Sequence, residues 1–136
     1  MRSRLAPQVA SALSIAALLF GRVAAAADPF DARLAEARAN EASADGQAYA
    51  PLFFEQFGPA LQQSMQRCFP VPKGANPAAA HFTIVFAVHG DGAIGRALAR
   101  PRSAGTDCVL ASIAGVHVAA PPRPGWWMFV DMDVAP

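Results

Sequence analysis

The 136-residue chain has little of what catalytic and metal centres are usually built from: two cysteines, three histidines and one tyrosine. His81, His89 and His117 are the only imidazoles. The first two would share a face of one strand, but eight residues of strand span about 26 Å, too far to hold one metal. The cysteines lack the Cys-x-x-Cys spacing of a redox site, and no four-ligand zinc pattern is present. No serine sits in a Gly-x-Ser-x-Gly elbow. Gly90, Gly92 and Gly95 join two strands instead of opening a helix, so they are not a phosphate loop. Asp131 and Asp133 would stand roughly 7 Å apart on one strand face. With no base, nucleophile or metal ligand beside them, they read as solvent-facing charges. The expectation is no enzyme, no cofactor and no metal.

A full membrane span is also missing, and so is a basic field. Residues 5–20 carry no charge, but this run of about 16 residues includes Pro7, Gln8 and serines, short of the roughly 20 a bilayer requires. It follows Arg2 and Arg4 and leads to Ala25-Ala26-Ala27, the three-part pattern of a cleavable secretory signal. Residues 1–27 are therefore expected to be removed, leaving 109 residues that begin at Asp28. Those residues hold eight of the eleven basic side chains and all ten acidic ones, a formal net charge of −2. That balance gives no reason to expect a nucleic-acid partner or a stable membrane anchor. The length suits one modest core and not two domains.

In an exported chain, Cys68 and Cys108 form an even pair, and a structural disulfide is the default. It would close a loop of about 40 residues, worth roughly 4 kcal/mol in the chain-entropy model.

Along the remaining chain, Asp28-Pro29 is a helix start, and Phe30, Leu34 and Ala37 form a weak stripe up to Asp45-Gly46. This gives a helical arm over 28–49. A better helix covers 50–69, with Phe57, Leu61, Met65 and Cys68 on one face. Gly58-Pro59 is expected to interrupt or kink it, and Phe69-Pro70 to end it. Phe82, Ile84, Phe86 and Val88 alternate on a first strand, and Asp91-Gly92 signals a hairpin turn. The return strand over 93–100 alternates poorly, since Ile94 and Leu98 share a face with Arg96 and Arg100. A bulge or an edge position would each account for that. Ser103 and Thr106 offer caps for a third helix over 107–114 ended by Gly115. Finally Trp126, Met128, Val130 and Met132 alternate with Trp127, Phe129, Asp131 and Asp133 on a last strand. This order gives an α+β fold: a two-layer domain with helices packed on a small three-stranded antiparallel sheet, spanning residues 50–136.

Over residues 61–134 the chain resembles the C-terminal domain of the TonB/TolA periplasmic proteins. The likeness lies in ordered marks: a helix ending at Phe69-Pro70, an apolar strand running into Asp91-Gly92, Ser103-Ala104-Gly105 before an acidic helix start at Asp107, and Pro121-Pro122 before a final strand. The resemblance implies a periplasmic domain that binds a periplasmic or outer-membrane protein, often by strand pairing at a sheet edge. Two features depart from it. The energy-coupling proteins keep an inner-membrane anchor and a long spacer, whereas this chain has a cleavable signal and no spacer, and it lacks their Ser-x-x-x-His pattern. A role in transmitting force from the inner membrane is therefore not implied.

The residues expected to meet a partner lie on the last strand: Trp126, Trp127, Phe129, Val130 and Asp131. Neighbours on a strand point to opposite faces, so one indole is expected in the core and the other exposed as an anchor, unless both are packed. The alternatives are a small secreted enzyme or inhibitor with an unrecognised site, and a homodimer that pairs its own edges. The signal reading has a direct check. Intact mass of the protein recovered from a periplasmic fraction should correspond to a chain starting at Asp28, and a full-length mass in the membrane fraction would overturn it.

Overall fold

The computed structural model describes residues 29–76 and 78–134; the segment read as a secretory signal lies outside them. Its elements are α1 (Pro29–Ala42), α2 (Ala44–Cys68), β1 (Ala80–Val88), β2 (Ile94–Arg100), α3 (Ala104–Ile113) and β3 (Trp126–Val134). The strands form one antiparallel sheet in the order β2-β1-β3, so the α+β class with helices on a three-stranded sheet is what the chain adopts. No described helix is long and apolar enough to cross a membrane.

The main core lies on one face of the sheet. Phe82, Ile84, Phe86 and Val88 of β1 meet Phe53, Phe57 and Leu61 of α2, Val109 and Ile113 of α3, and Trp126 and Met128 of β3. Phe53, Phe57 and Phe86 have ring centroids 4.8–5.7 Å apart, within the range where aromatic pairs add to simple burial. Tyr49 closes the end of this layer, its hydroxyl donating to the Ala119 carbonyl at 2.8 Å. Burial pushes that phenol up to about 12.

The arm is docked, and it lies on the other face. Phe30 and Ala37 of α1, with Leu34 beside them, cover Val85 and Ala87 of β1 and Trp127 of β3. The weak stripe of α1 is thus a genuine contact face, and it makes a third layer beyond the two expected.

The helix boundaries also differ from expectation. Asp45-Gly46 does not end the first helix but lies in the first turn of α2, which Ser43 caps by accepting the Gly46 N–H at 3.0 Å. A β-carbon on Gly46 would come within 1.9 Å of the Asn40 carbonyl oxygen, so the α1–α2 corner requires glycine. Helix α2 then runs unbroken through Pro51 and Pro59. Both prolines are exposed, as are Gln47 and Glu55 four residues before them. The carbonyls that lose a helical partner can therefore be solvated.

The poor alternation of β2 has two causes at once. It is an edge strand, and it is bulged: Val88 pairs with Ile94 and Phe86 with Ala97, so Gly95 and Arg96 stand opposite the single residue Ala87. The extra residue reverses the parity. Ile94 therefore packs in the main core, while Leu98 turns to the α1 face.

Cys68 and Cys108 are bonded, with Cα atoms 5.6 Å apart. The bond ties the last residue of α2 to the first turns of α3. Ser103 and Thr106 fix the start of α3 with a reciprocal capping box. Denatured, unreduced protein should show no titratable thiol, and Cys68→Ser should lower stability by about 2–5 kcal/mol in chemical denaturation. Two free thiols would overturn the assignment.

Candidate functional site

The sheet's two faces are covered by helices where they are apolar, so its edges are the places where backbone remains to be paired. Which groups point outward follows from the turn. His89 donates its N–H to the Ala93 carbonyl at 2.9 Å. Direction alternates along an antiparallel strand, so the odd-numbered residues of β1 face β2 and the even-numbered ones face β3. In β3, residues 126, 128, 130 and 132 then bond to β1, while 127, 129, 131 and 133 turn their N–H and C=O groups outward. The Trp127 carbonyl accepts a 3.0 Å bond from Asn40 Nδ2, as an outward group on that edge would.

Of the residues expected to meet a partner, the two indoles are not offered to solvent. Trp126 is 0% exposed in the main core and Trp127 6% exposed beneath α1, with the Arg33 guanidinium 4.7 Å from its ring centre. Both rings are packed, and neither can act as a surface anchor while α1 is docked. Phe129 is half-buried under Arg38, and Val130 is half-buried against the main core. Asp131 is exposed and accepts from Thr83 Oγ1 at 2.5 Å; Asp133 lies 2.7 Å from His81 Nδ1. These are pairs of directly opposed residues on β1 and β3, so the aspartates are tied to their own sheet. His89 lies instead against Gly95, and His117 against the Gly115 carbonyl. Among the described residues no three His, Cys, Asp or Glu side chains converge where a metal could sit.

Beside the outer edge of β3 lies a groove of about 450 Å³, lined by Gly58, Leu61, Gln62 and Met65 of α2 and by Met132, Asp133 and Val134 of β3. Its walls are mostly apolar. Leu61, Met65 and Met132 lie on the apolar faces their spacing implies and belong to the margin of the main core; that they also line a groove is signalled by Gly58, which removes a side chain from α2 at that point.

The other edge is different. The outward groups of Ile94 are taken by residues 115–116, and the Gly92 carbonyl by the Val118 N–H. Gly92 must be glycine: its φ is +87°, and a β-carbon would fall 1.9 Å from the Val118 carbonyl oxygen. Beyond the bulge that cover ends, and a groove of about 430 Å³ follows β2 between Phe30 and Leu110.

No family model, curated protein or solved structure matches the chain.

Asn40 decides how much of β3 is covered. It is buried, donates to the Trp127 carbonyl, and accepts from Arg123 Nη2 at 2.8 Å. Replacing it with alanine leaves a buried carbonyl without its partner, which typically costs about 1–3 kcal/mol. Asn40→Ala should lower global stability by that amount and speed amide exchange in α1 more than in α2. Equal protection of both helices would show that Asn40 does not hold the arm.

Proposed function

We propose that the protein is an exported, periplasmic binding module of the TonB/TolA C-terminal type, and that a partner protein adds an extended segment to the outer edge of β3. The observation that carries this reading is an edge strand with outward backbone groups at Phe129, Asp131 and Asp133, lying beside the apolar groove of Leu61, Met65 and Met132. An added strand satisfies such backbone groups and places alternate side chains in an adjoining groove. The element order from α2 to β3 is the one the resemblance implies, which supports the family reading. With Trp126 and Trp127 occupied inside the domain, the anchoring contacts fall to the groove.

The test starts from a partner captured from periplasmic extract and uses its purified binding segment. Asp131→Pro removes an outward N–H while leaving the β1 ladder intact, and Met65→Glu puts a charge in the groove. Each should weaken binding by about tenfold or more, a loss of at least about 1.4 kcal/mol. Asp131→Ala, which keeps the N–H, should bind nearly as the parent does. If Asp131→Pro and Met65→Glu stay folded by circular dichroism and keep full affinity, the β3-edge model is wrong.

A further inference from the structure

The groove along β2 has the form of a slot for one more strand. Its floor is the backbone of β2 past the bulge. By the same alternation, the outward groups there belong to Ala97 and Ala99, and no backbone bond to another segment covers them among the described residues. One wall is Phe30 of α1 and the other Leu110 of α3, so the slot stands between the two helical layers. Ala97 and Ala99 turn their side chains to the main core, so what they present at this edge is backbone.

The rim is basic. Arg96, Arg100 and Arg102 line the slot, and no acidic residue does. Arg100 lies over the Phe30 ring at 4.4 Å and is held by Asp31 at 2.6 Å, while Arg102 is held by Asp107 at 2.9 Å. Their guanidinium groups are therefore fixed at the rim, with much of their charge balanced by these two carboxylates, so the attraction for an acidic segment centres on Arg96. Arg96 is exposed at the bulge and makes no ion pair among the described residues. Past the bulge, Arg96, Leu98 and Arg100 alternate with Ala97 and Ala99, so the arginines share the α1 side while Leu110 lies on the other.

We propose that this slot is a second binding site, taking an extended protein segment in which acidic and apolar residues alternate. The carboxylates face Arg96 and Arg100, the apolar side chains face Leu110, and the segment's backbone pairs with Ala97 and Ala99. Charge complementarity sets the choice of segment and its direction of approach, while the strand pairing supplies the affinity. The site lies on the border of the sheet opposite the β3 edge.

The probe is a blocked ten-residue peptide alternating valine and glutamate, titrated into the ¹⁵N-labelled protein. The Ala97 and Ala99 amides should shift, binding should weaken as salt rises, and the valine–lysine counterpart should not bind. Arg96→Glu should reduce affinity about fivefold or more, and Arg96→Gln by less, as expected for an exposed rim charge. Because Arg96 is exposed, both variants should fold, which circular dichroism verifies. The proposal fails if no shift appears up to millimolar peptide, if the shifts map to residues 129–134 instead, if the lysine peptide binds equally, or if Arg96→Glu binds as the parent does. Concentration-dependent self-association that blocks the peptide and is abolished by Asp131→Lys would also overturn it, assigning the slot to a second copy of this chain.

Discussion

Everything in this structure depends on a central strand that is apolar on both faces. From Ile84 to Val88 every side chain of β1 is buried, the even-numbered ones in the main core and the odd-numbered ones under α1. A strand of that kind needs cover on two sides. Two helices supply one side, and α1 has to supply the other. Once both faces are covered there, the sheet itself offers no open face over that stretch. What the sheet still presents is backbone, at its two borders.

Those borders differ in chemistry, and the difference follows from what lies behind each strand. At β3 the neighbour is α2, whose Leu61 and Met65 extend the core toward solvent, so that edge adjoins an apolar groove, with Asp131 and Asp133 as its charges. At β2 the bulge changes the parity, so Arg96 and Arg100 fall on the α1 side and the edge becomes basic. Without the extra residue, Ile94 and Leu98 would share one face with both arginines. One of two errors would follow: charges in the core, or two large apolar side chains outside it. The bulge avoids both, and the basic rim is a consequence.

The sequence made the strands and the disulfide legible because their signals are local. Period-two alternation in β1 and β3 fixes which side chains share a face, and two cysteines leave one possible pairing. It was less informative where an outcome depends on a distant partner. The stripe of Phe30, Leu34 and Ala37 is weak and leaves the docking of the arm open, since nothing in α1 itself says that Val85, Ala87 and Trp127 lie uncovered far along the chain. Asp45-Gly46 resembled a helix end because glycine usually marks one, whereas here it permits the backbone of Asn40 to pass at close range. Between an exposed indole and two packed ones, the choice falls to the second for the same reason: alternation states the face, and only the third layer decides whether that face is wet.

That third layer is held in an unusual way for so small a contact. Its buried apolar surface is little more than Phe30, Leu34 and Ala37, and it is supplemented by cations placed over rings. Arg33 lies 4.7 Å from the Trp127 ring centre, Arg38 5.7 Å from Phe129, and Arg100 of β2 4.4 Å from Phe30. Such contacts contribute about 0.5–1 kcal/mol each where exposed and more where desolvated. Asn40 adds the one buried polar link, reaching both β3 and Arg123. A helix held mainly by such contacts is more easily lifted than one held by a deep apolar face, because water can replace each of them in part. It is also the helix whose first turn forms a wall of the β2 slot and whose last turn covers the start of the β3 edge. Displacing α1 would therefore open one wall of the slot and uncover Trp127 at the other edge in a single step, because the same helix closes both.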